Sequence, residues 1–505
     1  MDVVATHAAK HPDRPALIEG ARTLSWEEFF RTRNRVAHAL AALGIGAGQH
    51  AIVYAHNALE NLISLAAVRA LGAVGVPMNH RLTAEEVAYI LDNSDATAVF
   101  VDDAFLPMAE RVRHAARVRH WITLGAERRP WAAALADLLA GGSDAPPAVT
   151  TMGGSMVYTA GTTGKPKGAL RRAIDPSSVL PRLAALNCLD PEQVHLVAGP
   201  LYHSAPGGFA LYAQMVGGTI VVMRKFDPEE ALRLIERHRC TTTFMAPTLV
   251  KRIVDLPPEV LARYDVSSMR SLVIAAAPCP MRVKEQALAL FGPVLYEFYG
   301  STELGVNTVL RPEDVLRKPG SCGAAAPGVQ LAILDDEGRP VAPGTPGELF
   351  VRRYEGVFDE YYRNAAATAQ TARGEWMSVG DVAWMDDEGF VYICDRKRDM
   401  IISGGVNIYP AEIEDALHRH PAVEDAAVFG VPDAEWGERV HAAVQLRPGH
   451  RVTERELMEF CRTRVADYKT PREVSFHEDF PRDSAGKLVK RLLREPYWAG
   501  RETRV

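Results

Sequence analysis

Several features that would assign a protein at once are missing from this chain, and each gap excludes something. Cysteine is scarce: six in 505 residues (Cys188, Cys240, Cys279, Cys322, Cys394 and Cys461), far apart, with no CxxC pair and no metal-ligand spacing. That excludes a disulfide-built scaffold and a structural zinc site, and the thiols read as reduced and buried in a cytoplasmic protein. No apolar run is long enough to span a bilayer, and "MDVVATHAAKHPDRPALIEG" has no apolar core of a signal peptide. No block of like charge stands out and the formal net charge is −6, which argues against a nucleic-acid partner. Internal repeats and low-complexity segments are absent too. The one Gly-rich stretch, "YTAGTTGKPKGAL" (Tyr158–Leu170), lacks the Walker A pattern, because Pro166 follows Lys165.

What is present is a globular composition, 47% apolar and 24% charged, over a length that calls for more than one folding unit. Apolar β-branched runs alternate with helical patterns. "TIVVM" reads as a buried strand; "FDPEEALRLIERH" follows as a helix, with Asp227 as N-cap and Pro228 at the first helical position. "TTTFMAP" and "SLVIAAAP" (Ser271–Pro278) return to strand, "PMRVKEQALALFG" to helix and "VLYEFYG" to strand. This rhythm predicts an α/β fold of βαβ units with largely parallel sheets. From about Gly323 the turns at Asp336–Gly338 and Asp387–Gly389 predict a small antiparallel β region. From about Met400 helices mix with "DAAVFGV" and "HAAVQLR", a small C-terminal α+β domain. The expected division is residues 1–397 and 398–505, with the charged "DRKRD" (Asp395–Asp399) as the joint.

The Gly-rich stretch suits a polyphosphate. Its glycines let backbone approach a ligand, successive amides form an anion nest, Thr159, Thr162 and Thr163 add hydroxyls, and Lys165 and Lys167 add positive charge. "YEFYGSTELG" (Tyr296–Gly305) places aromatic rings, hydroxyls and Glu303 at a strand end. A ring there can stack on a base, Thr302 can donate to a phosphate, and one carboxylate can hold Mg2+ beside phosphates. Asp381 in "SVGDVAWMDDEGF" can accept from ribose hydroxyls. Arg396 precedes a second glycine pair in "DRKRDMIISGGVNIYPAEIE", and Lys487 follows a glycine in "PRDSAGKLVKR".

With these motifs in this order, the chain resembles the adenylate-forming superfamily, and within it the bacterial fatty-acyl-CoA and aryl-CoA synthetases. The resemblance runs from about Tyr158 to Lys487, and the opening segment is similar as well. It implies two half-reactions. A carboxylate attacks the α-phosphate of ATP to give an acyl-adenylate and pyrophosphate; the thiol of coenzyme A then displaces AMP. It implies that Thr159, Gly161, Thr162, Thr163, Gly164, Lys165 and Lys167 hold the β- and γ-phosphates. Tyr299 lies near adenine, Thr302 on the α-phosphate, Glu303 on Mg2+, and Asp381 and Arg396 on the ribose. Ala276, Ala277, Pro278, Glu297, Phe298, Gly300 and Ile393 complete the nucleotide site. Lys487 bridges the carboxylate and the α-phosphate. Arg398 is the hinge of a mobile C-terminal domain, whose rotation brings Ser403, Gly404 and Gly405 to the CoA channel. Two departures stand out: Ala160 where the family commonly has Ser, and "DSAGK" where many relatives have a Pro-Thr pair before Gly-Lys.

For the acid, the resemblance points to "PLYHSAPGGFALYAQM" (Pro200–Met215) and "IAAAPCP" (Ile274–Pro280), with His203, Gly208, Ala275, Ala276 and Gly300 lining the pocket. His203 reads as a pocket or gate residue, since a carboxylic acid is already ionised near neutral pH and needs no base. Neither segment offers a cation for a second carboxylate, so a mostly apolar monocarboxylic acid is expected: fatty, aromatic or polycyclic. The expected co-substrates are ATP with Mg2+, and coenzyme A; a homodimer is among the expected assemblies. An acyl-AMP ligase serving a carrier protein is the alternative, disfavoured by the compact "GELFVRRYEGVFDEYYRNAAATAQTARGEWMSVGDV". An amino-acid adenylating enzyme is disfavoured because neither pocket segment supplies an Asp. A luciferase-like oxygenase stays open. Trp436 in "PDAEWGERV" reads as a packing residue.

Overall fold

The computed structural model describes residues 2–115, 117–148, 151–159, 166–172, 176–354, 357–396, 399–403, 406–433, 436–482 and 488–499. Two sheets build the large part. The first has seven strands in the order Leu295–Glu297, Ser271–Ile274, Thr242–Met245, Val194–Val197, Thr219–Val222, Pro15–Glu19 and Arg22–Ser25. All its neighbours run parallel except the closing hairpin. The second has eight, in the order Glu360–Tyr361, Lys167–Arg171, Ser155–Thr159, Val74–Pro77, His50–Tyr54, Ala96–Val101, His120–Thr123 and Ala133–Ala134. It is antiparallel only at its first two joins.

The helix Leu59–Ala70 shows how the two sheets share a core. Ten of its twelve residues are buried, Asn61 and Ser64 among them, so it is enclosed on nearly every side, as an interior helix is. Its leucines pack with Val53, Phe100, Val197 and Ile220, taken from both sheets. Asn57, just before it, stitches the sheets together: its side-chain amide donates to Gly199 O (2.9 Å) and Met223 O (3.0 Å), and its oxygen accepts from Leu201 N (2.9 Å).

Local signals behave as their chemistry dictates. Asp227 Oδ1 accepts from the amides of Glu229 and Glu230 and starts the helix Pro228–His238. The antiparallel region is observed: Leu331–Leu334 pairs with Gly347–Arg352, and Asp381–Met385 with Val391–Arg396. The strands expected over Ser271–Pro278 and Val294–Gly300 end earlier, at Ile274 and Glu297. Ile274 and Glu297 are the last paired positions of their ladder; beyond them the backbone leaves the sheet, and Ala276 takes φ +78°.

The small domain pairs Val423–Asp433 with Gly437–Leu446, flanked by Ile401–Ser403, Val406–Ile408 and Glu473–His477. Its helices are Pro410–His418, Glu454–Arg462 and Lys490–Trp498. Trp436 is not a packing residue: it is 53% exposed, because it sits at the hairpin tip, where Asp433 pairs with Gly437. All six cysteines are free; four are buried, and Cys279 and Cys394 are half-buried. Lys251 of the large part binds the Glu424 carboxylate of the small domain. No helix among the described residues is long and apolar enough to cross a membrane.

Candidate active site

The site forms where parallel strands end. In open α/β sheets the carboxyl ends of strands leave backbone groups unpaired above a crevice. Here the strands ending at Val197, Ile274 and Glu297 open into Pro200–Ser204, Ala275–Pro278 and Phe298–Glu303. Ala276 at φ +78° is strained for a residue with a Cβ, as backbone re-aimed at a ligand often is. Phe298–Gly305 is folded by a short ribbon that pairs Gly300 with Val306 and Ser301 with Gly305. Gly300 is required there: a Cβ on it would lie 2.0 Å from Gly305 O.

On the side expected for the nucleotide, the described Tyr299, Asp381, Thr302 and Glu303 are each held by a neighbour. Tyr299 OH donates to Asp381 Oδ2 at 2.6 Å, and Asp381 is buried. Arg396 stands opposite Asp381 in the ladder, and Ile393 opposite Ala383. Thr302 Oγ1 donates to Ser204 Oγ at 3.0 Å. Glu303, 6% exposed, accepts from Tyr361 OH at 2.7 Å, and among the described residues no cation pairs with it. A single carboxylate with an oxygen to spare fits Mg2+ that takes its other ligands from phosphates and water. Thr159 and Lys167 face each other at the mouth of the Gly-rich loop, and Lys167 Nζ lies 5.2 Å from the centre of the Tyr361 ring. Gly161, Thr162, Thr163, Gly164, Lys165, Arg398, Gly404, Gly405 and Lys487, and the Arg396 side chain, lie outside the described residues.

Two expected nucleotide residues turn their side chains elsewhere. Glu297 forms a buried ion pair with Lys284. Burial opposes charge on Lys284, but the adjacent Glu297 carboxylate outweighs it and holds the ammonium above its ordinary pKa. Phe298 stands 6.0 Å from Phe209 and 6.1 Å from Phe244, in an aromatic cluster. What these two offer a ligand is position and backbone. Burial pushes the Cys279 thiol up, and the Cys322 thiol to about 12, so neither serves as a nucleophile near neutral pH.

On the acid side, Phe209, Phe244, Phe298, Val273 and Ala275 pack into one apolar wall. His203 precedes the helix Ser204–Val216, its ring 4.5 Å from that of Tyr202. A Cβ on Gly208 would meet the Tyr212 ring at 3.7 Å, so the glycine leaves room beside that ring. Further along lies a cavity lined by Arg171, Arg182, Tyr212, Val306 and Tyr354, among others. Arg171 Nη2 donates to Thr302 O at 3.3 Å, which ties this cavity to the Phe298–Gly305 ribbon. Tyr361, Ser204, Lys284, Arg171 and Arg182 were not singled out by motif reading, although Ser204 and Tyr361 lie in segments quoted for other reasons; tertiary pairing brings each of them in.

Strand ends that gather Tyr299, Thr302, Glu303 and Asp381 beside an apolar wall define an α/β protein with a small-molecule site above its sheet. The chain belongs to the AMP-binding enzyme family: the family's model matches residues 4–362, and the AMP-binding enzyme C-terminal domain matches 412–487. It is 33% identical over 500 residues to the fatty acid–[acyl-carrier-protein] ligase ScoC of Streptomyces coeruleorubidus, covering 97% of this chain and 95% of that one. It is 33% identical over 473 residues to the long-chain-fatty-acid–CoA ligase FadD13 of Mycobacterium tuberculosis, covering 92% of each. Among solved structures, the amide bond synthetase McbA of Marinactinospora thermotolerans superimposes with TM-score 0.89 at 28% identity, covering 98% of this chain and 100% of that one. The acyl-activating class expected from the motifs and the two-part fold are therefore established; these relatives hand the activated acyl group to different acceptors.

Proposed function

We propose that this enzyme is an acid–CoA ligase: it activates a carboxylic acid with ATP and Mg2+ as the acyl-adenylate, releases pyrophosphate, and transfers the acyl group to coenzyme A. The observation that carries the reading is the segment holding Tyr299, Thr302 and Glu303 at a strand end, with Asp381 hydrogen-bonded to Tyr299, beside the apolar wall of Phe209, Phe244 and Phe298. In the first step an anionic acid must approach an anionic triphosphate. Preorganised donors and cations lower that barrier. Thr302 would hold the α-phosphate, Glu303 the Mg2+ that neutralises phosphate charge, and Asp381 the ribose, with the Tyr299 ring beside adenine. Lys487 would be delivered by the domain spanning residues 398–505. In the second step that domain, turning about Arg398, would present Ser403, Gly404 and Gly405 to the pantetheine arm.

A second reading has support in the likeness to ScoC: transfer of the acyl group to a carrier protein. A panel of carboxylic acids incubated with ATP and either CoA or a phosphopantetheinyl carrier, read by pyrophosphate release and thioester mass, separates the two. Thioester with CoA is expected. Pyrophosphate release with thioester only on the carrier would replace the first reading with the second.

A further inference from the structure

We infer that the acid taken by this enzyme carries a second carboxylate at its far end, read by Arg182 together with Arg171. The inference rests on the reading above that the pocket receives an acid for adenylation. It also replaces the monocarboxylic expectation. That expectation came from two segments without cations, whereas these arginines enter from the strand Lys167–Arg171 and the helix Pro176–Ala185.

Arg182 is 6% exposed. A buried guanidinium is costly unless an anion or full hydrogen bonding compensates it. Among the described residues no carboxylate pairs with it or with Arg171, and the Nε of each is buried without a hydrogen-bond partner. Two like charges converge instead: burial first, and also Arg171, lower the pKa of Arg182. The compensation present is aromatic. The Arg182 guanidinium lies 3.9 Å from the centre of the Tyr354 ring, and Tyr354 OH is tied to Leu304 O at 2.5 Å. A ring packed on the guanidinium carbon supplies a cation–π contact and uses none of the N–H donors on its edge, the fork that matches a carboxylate bidentately.

That edge serves a cavity of about 20 Å3, room for a water-sized group. Val179, Leu183 and Val306 supply apolar lining and Tyr212 a ring. The cavity adjoins the reacting end, because Arg171 donates to Thr302 O and Val306 pairs with Gly300. An acid with its reacting carboxylate at Thr302, an apolar middle and a terminal carboxylate matches this order of groups.

The test compares α,ω-dicarboxylic acids of graded length, each beside its own monomethyl ester, and terephthalate beside monomethyl terephthalate. Each ester keeps a carboxylate to activate and loses the distal charge. For at least one pair the wild type should favour the diacid by about tenfold or more in kcat/KM for pyrophosphate release. Arg182→Met should abolish that ratio, and Arg182→Lys should retain part of it. A wild type that favours the ester in every pair overturns the inference. So does an Arg182→Met enzyme that folds and keeps the wild-type ratio, or one whose KM for ATP rises while the ratio stands, since the guanidinium would then serve the nucleotide. If Arg182→Met fails to fold, the wild-type ratio and Arg182→Lys decide. If no acid in the panel releases pyrophosphate, the proposed function falls separately, and thermal shift by the diacids still decides for the arginine. A rise in Tm for the wild type that Arg182→Lys diminishes supports it; no rise with any diacid overturns it.

Discussion

The two halves of the site solve opposite electrostatic problems. On the side proposed for the nucleotide, the described Asp381, Glu303 and Thr302 each have a protein partner, Tyr299, Tyr361 and Ser204, and Glu297 just before them has Lys284. At the cavity proposed for the far end of the acid, Arg171 and Arg182 meet without a carboxylate among the described residues. A paired group is preorganised; it stands in place before the ligand arrives and loses little on binding. An unpaired buried cation is a deficit that a ligand can relieve. The nucleotide half is therefore suited to a constant substrate, and the acid half to selecting among variable ones.

The largest expected effect bears on the idea that pairing on the nucleotide side is structural. Lys284→Met keeps an apolar stem but leaves the Glu297 carboxylate buried and alone. Breaking a buried pair in this way costs about 3–5 kcal/mol. The variant should unfold at a clearly lower temperature, by calorimetry or by circular dichroism, and the double variant Lys284→Met/Glu297→Gln should recover much of the loss. A single variant as stable as wild type would mean that the pair does not hold the strand end in place.

Next comes Lys487, expected to act as a charge delivered by the mobile domain. Removing one preorganised charge contact costs roughly 10²–10³ in rate, or about 3–4 kcal/mol. Lys487→Ala should lose adenylation on that scale, yet should convert a supplied acyl-adenylate to thioester at close to the wild-type rate. Equal loss in both half-reactions, in a folded variant, would count against both this role and the two-pose cycle.

How much of this could be read from the chain follows the same divide. The βαβ rhythm, the N-cap at Asp227 and the antiparallel region were legible, because helix period, capping chemistry and turn residues act locally. Tyr299, Thr302, Glu303 and Asp381 were named from short, chemically dense motifs, and the fold joins two of them, Tyr299 and Asp381, by a hydrogen bond. The strand ends were not: apolar composition continues through Ala275–Pro278, and only the missing ladder partner beyond Ile274 stops the strand. Nor were Tyr361, Arg171 and Arg182. Tyr361 reaches Glu303 because its strand pairs at Ala169, a contact across nearly two hundred positions that leaves no local trace. Arg182 looks like any helix-surface arginine until the helix is packed.

A smaller effect concerns the floor of the acid half. His195 is buried, accepts or donates at Nδ1 to Thr242 Oγ1 (3.0 Å), and lies parallel to Phe209. Burial pulls its pKa from 6.5 to about 3. Between those values the unfolded chain binds a proton that the folded chain refuses. Its contribution to stability is thus fully present above about pH 6.5 and declines as pH falls toward 3, by up to about 1.4 kcal/mol per pH unit. His195→Asn preserves a partner for Thr242 and removes the proton uptake. Urea unfolding of the large domain at a series of pH values should show a shallower acid-side slope in the variant; an unchanged slope would place the proton uptake elsewhere.

The smallest expected effect is the sharpest test of preorganisation itself. Tyr361 donates to Glu303 Oε1 at 2.7 Å, and its ring also lies 5.2 Å from Lys167 Nζ. Tyr361→Phe deletes the hydroxyl and keeps the ring, so the lysine contact and the packing against Phe358 survive. One hydrogen bond of this kind is worth about 1 kcal/mol net, roughly fivefold. If Glu303 holds Mg2+, a carboxylate freed to rotate binds it less well. The variant should then need several-fold more Mg2+ for half-maximal pyrophosphate release, and saturating Mg2+ should restore the rate. If the bond is only structural, Tm falls and the Mg2+ requirement does not move. Glu303→Gln fixes the far end of the scale: it should raise the Mg2+ requirement well beyond Tyr361→Phe, and adding Tyr361→Phe to it should raise it no further if the hydroxyl acts on the metal through the carboxylate it orients.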